Sequence, residues 1–225
     1  MNLTLGFDVY GTLIDTHGVK LALQEHLGER VEGFSRLWRE KQLEYSFRRG
    51  LMQNYVDFSR CTSQALEYAC LEYGLSLNEG QKERLLATYR ELPPFEDAIS
   101  GLERSRQEGF FLYAFSNGSA EAVRGLLQSA GLLDFFIDVI SVEDLRTFKP
   151  SPAVYCHFLR RTGTLGSQAW MVSSNPFDVL GAVSAGMRAA WVRRSESAIF
   201  DPWELEPTLV VSGLEELADQ VKHIG

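Results

Sequence analysis

The sequence predicts an α/β protein whose parallel sheet carries a block of helices inserted after its first strand. Three observations carry this reading. A short, nearly all-apolar run opens the chain, and similar runs recur in its second half. From about residue 94 onward those runs alternate with stretches of helical periodicity. Between residues 16 and 93 the alternation fails, and the text is helical throughout. Strands that are apolar on both faces need cover on both faces, which a parallel sheet obtains from its crossover helices.

Leu3 to Val9 reads as the first strand, broken by Tyr10-Gly11-Thr12. In the helical block, Phe34, Leu37, Trp38 and Tyr45 follow helical spacing. Phe58, Ala65, Leu66, Ala69, Cys70 and Tyr73 do so as well, up to a stop at Gly74. Asn78 with Gln81 three residues on suits a capped start for a helix reaching Arg90. Pro93-Pro94 closes the block. Helix Glu96–Gln107 then leads to strand Phe110–Phe115, and helix Ala120–Ala130 to strand Ile137–Ser141. Helix Pro152–Arg161 leads to strand Ala169–Val172, and helix Phe177–Ala185 to strand Ala189–Val192. Leu209–Val211 and a last helix finish the chain. Right-handed crossovers make this a doubly wound, Rossmann-like sheet. Residues 1–15 and 94–225 are expected to form that core, and 16–93 a separate helical domain.

With 45% hydrophobic and 23% charged residues among 225, disorder is excluded. Lys and Arg number 22 against 30 Asp and Glu, a net charge of −8. That balance argues against nucleic acid or an anionic membrane as the main partner, while leaving room for a small anion in a local cleft. No apolar stretch approaches the roughly 20 residues a membrane span needs. The segment Met1 to Asp8 has no basic region, so no secretory leader is expected. Cys61, Cys70 and Cys156 lack metal-like spacing, and the first two lie in apolar helical text as buried thiols would. A reducing, cytoplasmic location is expected.

Ligands of an open parallel sheet sit beyond the carboxyl ends of its strands. Those ends read Phe7-Asp8-Val9-Tyr10-Gly11-Thr12, Ser116-Asn117-Gly118-Ser119, Phe148-Lys149-Pro150 and Ser173-Ser174-Asn175-Pro176-Phe177-Asp178. Singly, each has a plain reading as a turn cap, a helix N-cap or a solvated lysine. Together they bring two carboxylates, an ammonium and several hydroxyl and amide groups to one cleft.

In this order the four segments resemble the four motifs of the haloacid dehalogenase superfamily, over essentially the whole chain. Phosphatases of that superfamily carry a second aspartate two positions after the nucleophile, where this chain has Tyr10, and a metal-binding aspartate where it has Ser174. A carboxylate attacking a phosphate dianion needs a cation between the charges, whereas a carbon bearing a halide does not. Both departures resemble the L-2-haloacid dehalogenase (type II) branch. So does Trp38-Arg39-Glu40-Lys41-Gln42-Leu43-Glu44-Tyr45, similar to the helical-cap signature whose arginine enters the cleft.

The resemblance implies hydrolysis of (S)-2-haloacids and haloacetates to hydroxyacids through an ester on Asp8, with no cofactor and no metal. Ser116 and the backbone N–H groups of Val9, Tyr10 and Asn117 would hold the substrate carboxylate, with Ser174 beside them. Arg39, the Asn117 side chain and Phe177 would surround the halide. Lys149 paired with Asp178 would keep Asp8 ionised, and Asp178, Asn175 and Ser173 would place or deprotonate the water. Thr12 and Tyr155 would be supporting partners. His17, His26, His157 and His223 lie outside every motif and are read as structural. A homodimer is implied by the family. The other readings are a Mg²⁺-dependent small-metabolite phosphatase of the same fold and a non-catalytic relative.

Overall fold

The computed structural model describes residues 3–224; Met1 and Asn2, which begin the segment read as lacking a leader, lie outside, as does Gly225. Strand β1 (Thr4–Phe7) is buried at all four residues, as a strand covered on both faces must be. It pairs in parallel with β2 (Phe111–Ser116) on one side and β4 (Ala169–Ser173) on the other. With β3 (Asp138–Ser141), β5 (Arg188–Val192) and β6 (Leu209–Val211), the described sheet has the order β3-β2-β1-β4-β5-β6, parallel throughout. The order reverses beside β1, so the site expected from the motifs coincides with the switch point.

Four helices follow β1: α1 (Gly18–Leu27), α2 (Val31–Leu51), α3 (Phe58–Tyr73) and α4 (Glu79–Thr88). Their boundaries have local causes. Gly74 stops α3 in the left-handed conformation at φ +60°, its N–H bonded to the carbonyls of Cys70 and Leu71. Asn78 and Gln81 cap α4 reciprocally, at 2.9 and 2.8 Å. Phe34 and Trp38 of α2 are fully buried, and the Trp38 indole donates to the Thr62 carbonyl of α3 at 2.9 Å. Burying a side chain like Phe34 contributes about 1.5–3 kcal/mol, which holds the two longest helices together.

Around the sheet pack α5 (Ala98–Gln107), α6 (Ala120–Ser129), α7 (Pro152–Thr162), α8 (Pro176–Ser184) and α9 (Leu217–Ile224). The elements read from periodicity are present, with ends moved by at most two residues. The first strand differs most instructively. Expected to reach Val9, it stops at Phe7, because the N–H groups of Leu13 and Ile14 both turn back to the Val9 carbonyl at 3.0 Å. Gly11 permits that turn with φ +85°, a conformation other residues rarely adopt.

The helical block meets the carboxyl edge of the sheet through aromatic rings. Tyr10 packs on Phe58 and Tyr89, Phe47 of α2 on Phe177 of α8, and Tyr55 and Phe58 on Phe148. Between α3, α4 and α6 a cleft of about 940 Å³ remains, with Tyr10, Gln42, Phe58 and Tyr89 among its walls. Cys61 and Cys70 are buried and Cys156 is exposed, all three as free thiols. Among the described residues no helix is long and apolar enough to cross a membrane.

Candidate active site

The register of β1 with its neighbours places Phe7 level with Ala114 and Val172. Asp8 therefore leaves the sheet beside the ends of β2 and β4, its N–H still bonded to the Val172 carbonyl at 2.9 Å. Its carboxylate is surrounded by donors. Asn175 reaches Oδ2 at 2.8 Å, Thr12 at 3.2 Å and Ser173 at 3.5 Å. Lys149 reaches Oδ1 at 3.2 Å.

Lys149 is the centre of the arrangement. It is only 1% exposed, and a buried ammonium is tolerated only when its charge and donors are satisfied. Its three protons have three acceptors: Asp8, Asp178 Oδ2 at 2.8 Å and the Phe115 carbonyl at 2.8 Å. The Phe115 ring lies 4.3 Å away, presenting its negative face to the charge. Asn117 holds the segment from the other side, its Oδ1 accepting the Lys149 backbone N–H at 2.9 Å. That bond fixes the orientation of the Asn117 amide, leaving its nitrogen as a donor.

Asp178, in the first turn of α8, is fully buried. Burial pushes its carboxyl up to about 6 against the pull of Lys149, and the Asp8 charge adds to the rise. Tyr155 of α7 donates to its Oδ1 at 2.8 Å. Gly181 makes that reach possible, since a Cβ there would stand 2.7 Å from the Tyr155 ring. Burial holds the Tyr155 phenol well above its ordinary range, with Asp178 adding to the effect, so it stays a donor.

The turns supply the rest. Thr12 Oγ1 accepts the Ser174 N–H at 2.9 Å, and Ser174 Oγ donates to the Gly11 carbonyl at 2.7 Å, tying the β1 and β4 loops together. Ser116 Oγ accepts the Gly118 N–H at 3.1 Å. The N–H groups of Val9, Tyr10 and Asn117 make no backbone hydrogen bond among the described residues. Burial pushes the Tyr10 phenol up to about 12, and Tyr89 contributes, so this residue is no acid near neutral pH.

Arg39 and Phe177 are less tightly drawn in. Arg39 is half-buried on α2, close enough for its charge to act on Tyr10 and Tyr89, and its Nη1 donates to Gln42 Oε1 at 2.6 Å. Phe177 lies 5.1 Å from Phe47, where the helical block and α8 meet. Two positioning residues escaped the sequence reading. Gln42 lies one helical turn after Arg39, a visible signal, and donates to Thr62, which no spacing reveals because it lies on another helix. Among the described residues no histidine bonds to this cluster.

A family model for haloacid dehalogenase-like hydrolases matches residues 4–186. The chain belongs to that family. Among its relatives, an (S)-2-haloacid dehalogenase of Pseudomonas putida is 37% identical over 213 residues, spanning 95% of this chain and 93% of the relative. Haloacetate dehalogenase H-2 of a Moraxella species is 36% identical, with 95% of each chain covered. The L-2-haloacid dehalogenase of Xanthobacter autotrophicus, solved with chloropropionic acid covalently bound, superposes with a TM-score of 0.91 at 32% identity over the whole of both chains.

Proposed function

We propose that this protein hydrolyses (S)-2-haloacids and haloacetates to 2-hydroxyacids, the (S) acids giving (R) products, with residues 16–93 as its cap. The observation that carries this is the site built without the two further aspartates of the phosphatases: Tyr10 stands two positions after Asp8, and Ser174 Oγ is spent on the Gly11 carbonyl, while Lys149 pairs with Asp8 and Asp178. The (S)-2-haloacid and haloacetate activities named for the relatives, and the acid covalently bound in the Xanthobacter enzyme, support it.

Asp8 attacks C2 opposite the halogen; the O–C2 bond forms as the carbon–halogen bond breaks, and halide leaves with the electron pair. Oδ1, with one donor against three on Oδ2, is the freer oxygen for attack. The N–H groups of Val9, Tyr10 and Asn117, with Ser116 and Ser174 beside them, hold the substrate carboxylate. Arg39, the Asn117 amide nitrogen and Phe177 surround charge that grows only in the transition state. Water placed by Ser173 and Asn175 then attacks the Asp8 carbonyl carbon. Its proton passes to Asp178, whose raised carboxyl suits a base working near neutral pH. As the acyl C–O bond breaks, Asp178 returns that proton to the departing C2 oxygen, and the Asp8 carboxylate is regenerated with loss of the second water proton to solvent.

The metal set of a phosphatase does not fit. Ser174 stands where a metal-ligating aspartate would be, and Tyr10 where the general acid would be. Chloride release from chloroacetate and (S)-2-chloropropionate is expected to proceed equally with and without EDTA. Activity lost in EDTA and restored by Mg²⁺ would instead favour the phosphatase reading. Arg39→Ala is expected to lose about 10²–10³-fold in turnover, the usual effect of removing a charge-assisted donor to a transition state. Near-wild-type turnover in that variant would return Arg39 to the solvated face of α2. Three free thiols suit a reducing cytoplasm. A homodimer is the assembly the family resemblance supports.

A further inference from the structure

Asp97 and Arg194 lie outside every motif, yet they form the tightest ion pair beside the β1 turn. Arg194 follows β5 by two residues, and Asp97 immediately precedes α5 on the segment returning from the helical block. Arg194 Nη1 donates to both Asp97 oxygens, at 2.8 and 2.6 Å, with the two side chains only 17% and 19% exposed. Its other terminal nitrogen, Nη2, donates to the backbone carbonyl of Thr12. The guanidinium carbon lies 4.1 Å from the centre of the Phe95 ring.

Asp97 holds its end firmly. As the residue capping α5 it would ordinarily accept a first-turn N–H, but its side chain makes no such bond. Its carboxylate goes to Arg194 and to the Leu214 N–H at 2.7 Å. Four segments thus meet at one pair: the turn after β1, the return from the helical block, the end of β5 and the turn after β6. Both crossings of the helical block are tied down nearby, by Asp15 N–H to the Pro93 carbonyl at 2.8 Å and Phe95 N–H to the Leu13 carbonyl at 2.9 Å.

We propose that Arg194, held by Asp97, is a positioning residue for the nucleophile; the inference rests on the dehalogenase reading with Asp8 in that role. The route is short. Arg194 fixes the Thr12 carbonyl, and the Thr12 hydroxyl stands 3.2 Å from Asp8 Oδ2. Arginine suits the task because its planar fork binds a carboxylate with one nitrogen and keeps another for a carbonyl at a set angle, which a lysine ammonium does not. Attack in line with a carbon–halogen bond tolerates little displacement, and a shift of about 1 Å can cost about 10²-fold.

The test follows halide release from (S)-2-chloropropionate in single turnovers of the full chain, with KM and the circular dichroism spectrum recorded alongside. Arg194→Gln is expected to slow release about 10–100-fold with KM within about threefold, and Arg194→Lys to recover only part of the loss. The deciding comparison adds Thr12→Val. If Arg194 acts through Thr12, the double variant is no more than about twofold slower than Thr12→Val alone; independent contributions would multiply. Should Arg194→Gln fail to fold, Arg194→Lys carries the same comparison. Multiplied effects, or near-wild-type release by the folded variant, overturn the proposal. A wild-type protein that releases no halide overturns the dehalogenase reading instead.

Discussion

Replacing Asp8 with alanine is expected to lower halide release by at least about 10⁴-fold while the protein stays folded. Removing a nucleophile eliminates the covalent route entirely and leaves only what substrate binding contributes, so the loss approaches the whole of the chemical acceleration. The fold should tolerate the change. Asp8 lies just beyond β1, and Lys149 keeps its bonds to Asp178 and the Phe115 carbonyl. Chloride release and the circular dichroism spectrum together check this. A folded Asp8→Ala protein within about tenfold of wild type would mean that another group attacks carbon.

Lys149→Met should damage activity and stability together, and for one reason. Methionine keeps most of the stem but removes the charge that faces Asp178, which is fully buried, and Asp8. Breaking a buried pair by deleting one partner typically costs about 3–5 kcal/mol, because the remaining charge is left without compensation. The unfolding midpoint in urea should fall accordingly. Activity should fall by about 10³-fold or more, since Asp178 loses the partner whose pull opposes its burial and the proposed base is held protonated near neutral pH. Lys149→Arg should not rescue it, because a larger planar cation does not fit where Asp8, Asp178 and the Phe115 carbonyl converge on one nitrogen. Wild-type stability in Lys149→Met would place this lysine in solvent and remove the keystone of the site.

These expectations show how unevenly the molecule could be read from its sequence. The sheet was legible because each strand is a short apolar run between turn residues, and strand ends in a parallel sheet say where ligands go. The pairing of Lys149 with Asp178 came from family resemblance; the third acceptor, the Phe115 carbonyl, did not, because a backbone carbonyl carries no side-chain signature. Gln42 was within reach, one turn from Arg39 on the same helix. Thr62, Asp97 and Arg194 were not, since each acts across elements far apart in the chain and looks like any surface polar residue in one dimension. The early end of β1 was missed because Val9 is apolar, and only the carbonyl it offers to Leu13 and Ile14 turns the backbone out of the sheet. Local pattern predicts local structure; contacts closed by the fold need the fold.

The central claim is that the Asp8 carboxylate, and not water, attacks the substrate carbon. One turnover with excess enzyme in ¹⁸O-water tests it directly. The ester forms with an oxygen of Asp8, and hydrolysis then breaks the acyl bond at Asp8 without touching C2. The hydroxyl of the first product molecule should therefore be unlabelled, and over many turnovers ¹⁸O should appear in the peptide containing Asp8 and then in product. Stereochemistry alone does not decide the matter, because direct attack by water also inverts C2. Labelled product in the first turnover, with no label ever entering Asp8, would contradict the account.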